Sequence, residues 1–333
     1  MNSDLFRQLL SRSTSGRSRT FWVAVGVIGC IAGSVVLVSC LGPLKPETYS
    51  EMVGPPTIED AVYVGWETCL LCHEDQAKKM EHTRHGKILL GEAVSRTPLQ
   101  QLGCEACHGP GSKHIEDPTD PANNIRFGPS ALQPVASQNA VCLQCHGGGK
   151  RLFWHGGPHE MGNLSCVTCH SIKNPKSLRA QLKTNDQLAL CTQCHAIKKA
   201  TNQHWSRMPG REGKVQCSSC HNVHGTVTDY LISDHSVNEK CYRCHTEKRG
   251  PFLWEHAPVR ESCLNCHDAH GSNNVSMLRI RVPRLCLECH NRRTHGSTAF
   301  SNLADRRVLG RGCVVCHQNI HGSNHPSGFA FTR

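Results

Sequence analysis

Ten times in this chain two cysteines stand three residues apart with a histidine directly after the second. The pairs are Cys69 and Cys72, Cys104 and Cys107, Cys142 and Cys145, Cys166 and Cys169, Cys191 and Cys194, Cys217 and Cys220, Cys241 and Cys244, Cys263 and Cys266, Cys286 and Cys289, and Cys313 and Cys316. The histidines that follow are His73, His108, His146, His170, His195, His221, His245, His267, His290 and His317. Thiols at this spacing share one face of a short helix, where both can form thioethers with the vinyl groups of one haem, and the next residue then brings an imidazole under the iron. Paired C-x-x-C units also close structural zinc sites, but zinc does not require a histidine after every pair. Histidine fills 23 of 333 positions, so ten such placements have a chance probability on the order of 10⁻¹². Ten covalently attached haem c groups are therefore expected, and thioredoxin-like redox use of C-x-x-C fails on the same count.

Thirteen other histidines remain, enough to put a second imidazole on every iron. The candidates for that far side are His85, His114, His155, His159, His204, His224, His256, His270, His295, His321 and His325. A bis-histidine iron has no open position for substrate. His224, in "CSSCHNVHG", cannot serve the haem beside it, because three residues span at most roughly 10 Å and would have to wrap the macrocycle. It is expected to ligate a neighbouring haem, as are His270 in "CHDAHG", His321 in "CHQNIHG" and His114 in "CHGPGSKH".

These residues need scaffolding that the side chains alone supply poorly. Only 5% of residues are aromatic and the apolar periodic stretches are short, so much of the interior must be haem. The formal charge of +11 might point to nucleic acid, but residues 1–39 carry four arginines against Asp4, leaving about +8 without them. Ten ferric haems with ionised propionates add about −10, so the basic residues mostly balance propionates. First cysteines recur at intervals of 22 to 38 residues, too dense for separate domains. The expected architecture is mostly irregular, with short α-helices at the attachment sites and almost no β-sheet, in one elongated haem-cored module over 61–333. "FWHGGPHEMGNLSCVTCH" (153–170) resembles "LWEHAPVRESCLNCH" (253–267). That similarity suggests duplicated halves, 61–203 with haems one to five and 204–333 with haems six to ten.

Arg7, Arg12, Arg17 and Arg19 precede an apolar run, Phe21 to Val38, that ends in "LVSC" at Cys40. A basic n-region and an apolar h-region mark an export signal over 1–39. "LVSC" resembles a lipobox, making Cys40 the expected acylated first residue; an uncleaved membrane helix is the alternative. Residues 40–60 contain four prolines and no apolar period, as a tether would. A lipid-anchored protein on the periplasmic side of the outer membrane is expected.

Several stretches, "CEACHGPGSKH", "EGKVQCSSCHNVHG", "NEKCYRCHTEKRGPFLWEHAPVRESCLNCHDAHGS", "RVPRLCLECH" and the terminal "IHGSNHPSG", resemble the MtrA/DmsE family of decahaem c-type cytochromes across 61–333. The resemblance implies a bis-histidine haem wire inserted in an outer-membrane β-barrel. It implies a periplasmic or inner-membrane cytochrome donor, a porin-like partner and an extracellular multihaem cytochrome or other acceptor, with no role for nucleic acid. Two positions depart from the family pattern: Lys173 stands in "CHSIKNP" where a histidine is usual, and Arg207 stands before Met208-Pro209 where "S-H-M-P" is usual. His155 and His204 could substitute, or Lys173 or Met208 could ligate iron. Two other functions stay open: a lipid-tethered shuttle or store that spans nothing, and a multihaem nitrite- or hydroxylamine-type enzyme, against which the absence of any C-x-x-C-K motif counts.

Overall fold

A computed structural model describes residues 54–91, 96–290 and 312–332. The expected export signal, Cys40 and most of the tether lie outside the described residues, as does His295. Residues 55–333 form one compact unit. Among the described residues there are short helices and isolated β-bridges but no strand, as the composition predicts. No described helix is long and apolar enough to cross a membrane.

Many of the short helices carry one attachment motif each. Trp66–Glu81 carries Cys69 and Cys72 in its first turns and leaves helical geometry at His73 (φ −118°, ψ 29°). Val135–His146 carries the third motif, while Cys166–Cys169 and Cys217–Cys220 consist of little more than the motif itself. At the eighth and tenth motifs the turn tightens to 3₁₀, over Cys263–Asn265 and Cys313–Val315. One helical turn suffices to align two thiols, so nothing selects for longer helices.

The motif histidines leave these turns in two ways. His170 and His221 turn to extended backbone (ψ 147° and 140°), and each of His170, His221 and His267 bridges a downstream residue: Leu182, Ile232 and Leu278. His195 and His245 instead sit near φ −89°, ψ 62° and φ −105°, ψ 55°. The fourth, sixth and eighth motifs thus end in a closed loop and the fifth and seventh in a bend.

Buried amides join members of a motif pair. Asn139, three residues before Cys142, accepts from the Cys166 N–H at 2.7 Å and donates to the Leu164 carbonyl at 3.1 Å. Asn238, three residues before Cys241, accepts from the Cys263 N–H at 2.7 Å and donates to the Val259 and Arg260 carbonyls at 3.0 and 3.1 Å. Both are almost fully buried, at 2% and 8% exposure. Each therefore fixes where the next motif begins. The buried apolar side chains are few, namely Met80, Leu89, Ile125, Ala140, Val141, Trp154 and Leu182, whereas Leu71, Val227 and Tyr230 are exposed. A core this thin does not offset the backbone entropy of a unit this size, which agrees with a haem-built interior.

Asn238→Ala strands the Cys263 N–H and removes a donor from two carbonyls. The expected cost is about 1–3 kcal/mol, read as an earlier midpoint in denaturant unfolding of the haem-loaded protein; an unchanged midpoint would show that the amide does not hold the pair. Chain produced without haem attachment is expected to lack cooperative unfolding by circular dichroism.

Candidate haem-ligand pairs

Each even-motif histidine of the fourth, sixth, eighth and tenth loops is held through its Nδ1. His170 pairs with the Ala180 carbonyl at 2.7 Å, His221 with Tyr230 at 2.7 Å, His267 with Ser276 at 2.7 Å and His317 with Ala330 at 2.6 Å. His108 does the same with Ile125 at 2.8 Å. A carbonyl can only accept, so Nδ1 carries the proton and Nε2 keeps its lone pair for a metal. Sequence reading missed these carbonyls, since a backbone acceptor leaves no mark on residue type. The Asn before the third and seventh motifs is the one legible sign of such supports.

Among the described residues the structure then brings a second histidine opposite seven of these motif histidines. Ring centroids lie 6.2 Å apart for His73 and His114, 6.2 Å for His170 and His224, 6.0 Å for His221 and His270, 6.2 Å for His267 and His321, and 6.2 Å for His256 and His290. Interplanar angles in these five are 25° or less. His159 and His195 stand 6.2 Å apart at 74°, and His85 and His146 stand 5.7 Å apart at 64°, with 3.5 Å between their Nε2 atoms. Two imidazoles bound to one metal at about 2 Å per bond place their centroids roughly 6 Å apart, so the spacing fits an iron between them.

The order of pairing is regular. His224, His270 and His321, just after the sixth, eighth and tenth motifs, face the histidines of the fourth, sixth and eighth. His85, His159 and His256, just after the first, third and seventh motifs or within the segments that follow them, face the histidines of the third, fifth and ninth. His159 and His256 are held by the Val223 and Ile320 carbonyls at 2.7 and 3.1 Å, the residues immediately before His224 and His321. The sixth and tenth loops thus each supply one facing histidine and orient another. A glycine makes this possible in the sixth: Gly225 has φ +115°, and a Cβ there would lie 1.8 Å from the Phe153 carbonyl oxygen.

Other candidates fall elsewhere. His204 holds the Gly271 carbonyl at 3.1 Å, and Arg207 donates to the His204 carbonyl at 3.1 Å, but His204 does not reach the seventh motif's His245 at the range of the seven pairs. His155 pairs with Glu160 at 2.8 Å and His325 with the Ser327 hydroxyl at 2.9 Å, and neither is brought to a motif histidine. Burial, and then the Lys173 ammonium, pushes His108 down to about 4; burial, and then His170, pushes His224 down to about 4. Both are held neutral, the form that binds metal.

The cysteines give a second order. First cysteines lie beside one another in pairs: Cys69 with Cys104, Cys142 with Cys166, Cys191 with Cys217, Cys241 with Cys263 and Cys286 with Cys313. Second cysteines bear electrostatically on the next pair: Cys107 on Cys145, Cys169 on Cys194, Cys220 on Cys244 and Cys266 on Cys289. Every motif therefore neighbours the next one along the chain. Among the described residues no three histidine, cysteine or acidic side chains converge as a zinc site would require.

Paired imidazoles, each pair with two cysteines beside one member, define a multihaem c-type cytochrome, an electron-transfer protein. Models of known families agree: the doubled CXXCH motif matches residues 208–250 and 256–295, the NrfB-like cytochrome c-type protein 104–185, and cytochrome c554 and c-prime 172–222. The chain is 41% identical over 274 residues to the multihaem cytochrome MtrA of Shewanella baltica, covering 79% of this chain and 80% of that one. It is 22% identical over 246 residues to the C-type polyhaem cytochrome OmcB of Geobacter sulfurreducens, covering 66% of this chain but 27% of that one. This chain belongs to the MtrA family of multihaem c-type cytochromes.

His224→Met is expected to alter the haem attached at Cys166 and Cys169, not the one at Cys217 and Cys220. Methionine in place of imidazole raises that haem's potential, measurable by spectroelectrochemical titration with site assignment by NMR. A change confined to the haem at Cys217 and Cys220 would refute the pairing.

Proposed function

We propose that this protein holds ten haems in one unbranched line and carries electrons from a periplasmic or inner-membrane cytochrome through a porin-like outer-membrane barrel to extracellular acceptors. The observation that carries the reading is the succession of sulfur contacts, which makes each of the ten motifs the neighbour of the next. Bound haem supplies reversible one-electron exchange at iron. The chain's own part is to fix order, axial ligation and burial. Seven facing histidine pairs support bis-imidazole ligation, which closes both faces to substrate and favours relay over catalysis. His204 for the seventh haem and His295 for the tenth complete the assignment on the histidine side.

The export signal over 1–39 and an acylated Cys40 would put this line at the periplasmic face of the outer membrane. The tether over 40–60 would give it reach. A shuttle or store on the same anchor would need the same haems but no barrel.

The test is reconstitution of the membrane-purified complex in liposomes that enclose a redox dye. External reductant is expected to reduce the dye only when this chain is present. Equal rates with and without it would defeat the conduit and leave the shuttle.

A further inference from the structure

The second motif stands outside the seven pairs. His108 is oriented like the other even-motif histidines, through the Ile125 carbonyl, yet its ring meets the edge of Phe127 at 5.7 Å and no second imidazole. The residue that register would place opposite it can be read from the later loops.

The fourth, sixth and eighth loops share one frame. The motif histidine binds a carbonyl through Nδ1, and the next residue donates its N–H to the residue beyond that carbonyl: Ser171 to Gln181, Asn222 to Leu231 and Asp268 to Met277, each at 2.8 Å. The position three after the motif histidine is thereby set, and it holds His224 in the sixth loop and His270 in the eighth. Each of these faces the histidine two motifs upstream. In the fourth loop the same position is Lys173, and two motifs upstream is His108.

The surroundings agree with this register. Val223, before His224, orients His159 through its carbonyl; Ile172, before Lys173, is joined to His85 by Gln181, whose amide nitrogen reaches the Ile172 carbonyl at 3.4 Å while its oxygen meets His85 Nδ1 at 2.5 Å. Gln181 lengthens the link that His159 makes directly. Two differences are visible: Asn174 replaces the glycine found at 225 and 271, and the loop from motif histidine to carbonyl is one residue longer. Lysine's four-carbon stem reaches roughly 2 Å farther than a histidine side chain, which accommodates a displaced backbone.

We propose that Lys173 is the far-side axial ligand of the haem attached at Cys104 and Cys107, opposite His108. The Lys173 charge bears on Cys104, Cys107 and His108, all of one motif. The amine binds iron as its free base, its proton passing to water. The inference rests on haem attachment and paired axial ligation, and is independent of the barrel.

Low-temperature EPR and near-infrared magnetic circular dichroism of the haem-loaded protein test it, since an imidazole–amine pair is spectrally distinct from an imidazole pair. One haem in ten is expected to show the imidazole–amine signature. In Lys173→His that component is expected to become bis-imidazole, and in Lys173→Ala to become a high-spin haem that binds carbon monoxide when reduced. Haem content per chain is measured for every variant, and Lys173→His decides alone if Lys173→Ala does not mature. Absence of an amine component in the unaltered protein, or its survival in either variant, would overturn the assignment. Several imidazole–amine or high-spin haems would overturn the broader bis-histidine reading instead.

Discussion

Seven histidines of the attachment motifs each face a second histidine supplied from another segment of the chain, and these facing pairs tie the rest of the structure together. His170 stands beside its own cysteines, but its counterpart His224 comes after the sixth motif. His221 in turn faces His270, and His267 faces His321. No even motif in this series is complete without the next. Metal binding and folding are then one process, because a preformed site does not exist in the unfolded chain.

The short helices and thin apolar core follow from that dependence. A chain whose tertiary links are facing imidazoles has little need of long packed helices, and its repeated geometry lies in the loops. Gly225 lets a loop approach the Phe153 backbone, and the Val223 carbonyl beside it sets the tautomer of His159. One tight turn thus positions the ligands of two haems. Such economy leaves few alternatives at each position, so a residue like Lys173 that breaks the pattern stands out chemically.

The two orders in the structure serve different ends. Sulfur contacts join each motif to its immediate neighbour and so describe the line of carriers. Imidazole pairs such as His170 with His224 and His221 with His270 skip a motif and so tie the line together across its neighbours. A line held only by sequential contacts could bend at every linker; one cross-tied at every second step has fewer independent motions.

The attachment sites were legible in the sequence because covalent chemistry demands fixed residue types at fixed spacing, as at "CSSCH", and the short-helix, sheet-free character followed from them. That His224 serves another haem was also legible, since a three-residue reach excludes its own. Which haem was not: the skip to the fourth motif is set by loop closure through backbone carbonyls such as Tyr230, which any residue type can supply. His155 and His224 look alike in sequence, yet Glu160 holds the first and burial opposite His170 defines the second. Sequence alone determined what is bound and roughly how many times; only the tertiary structure decided which imidazole meets which, because that choice rests on distances between segments rather than on the residues within them.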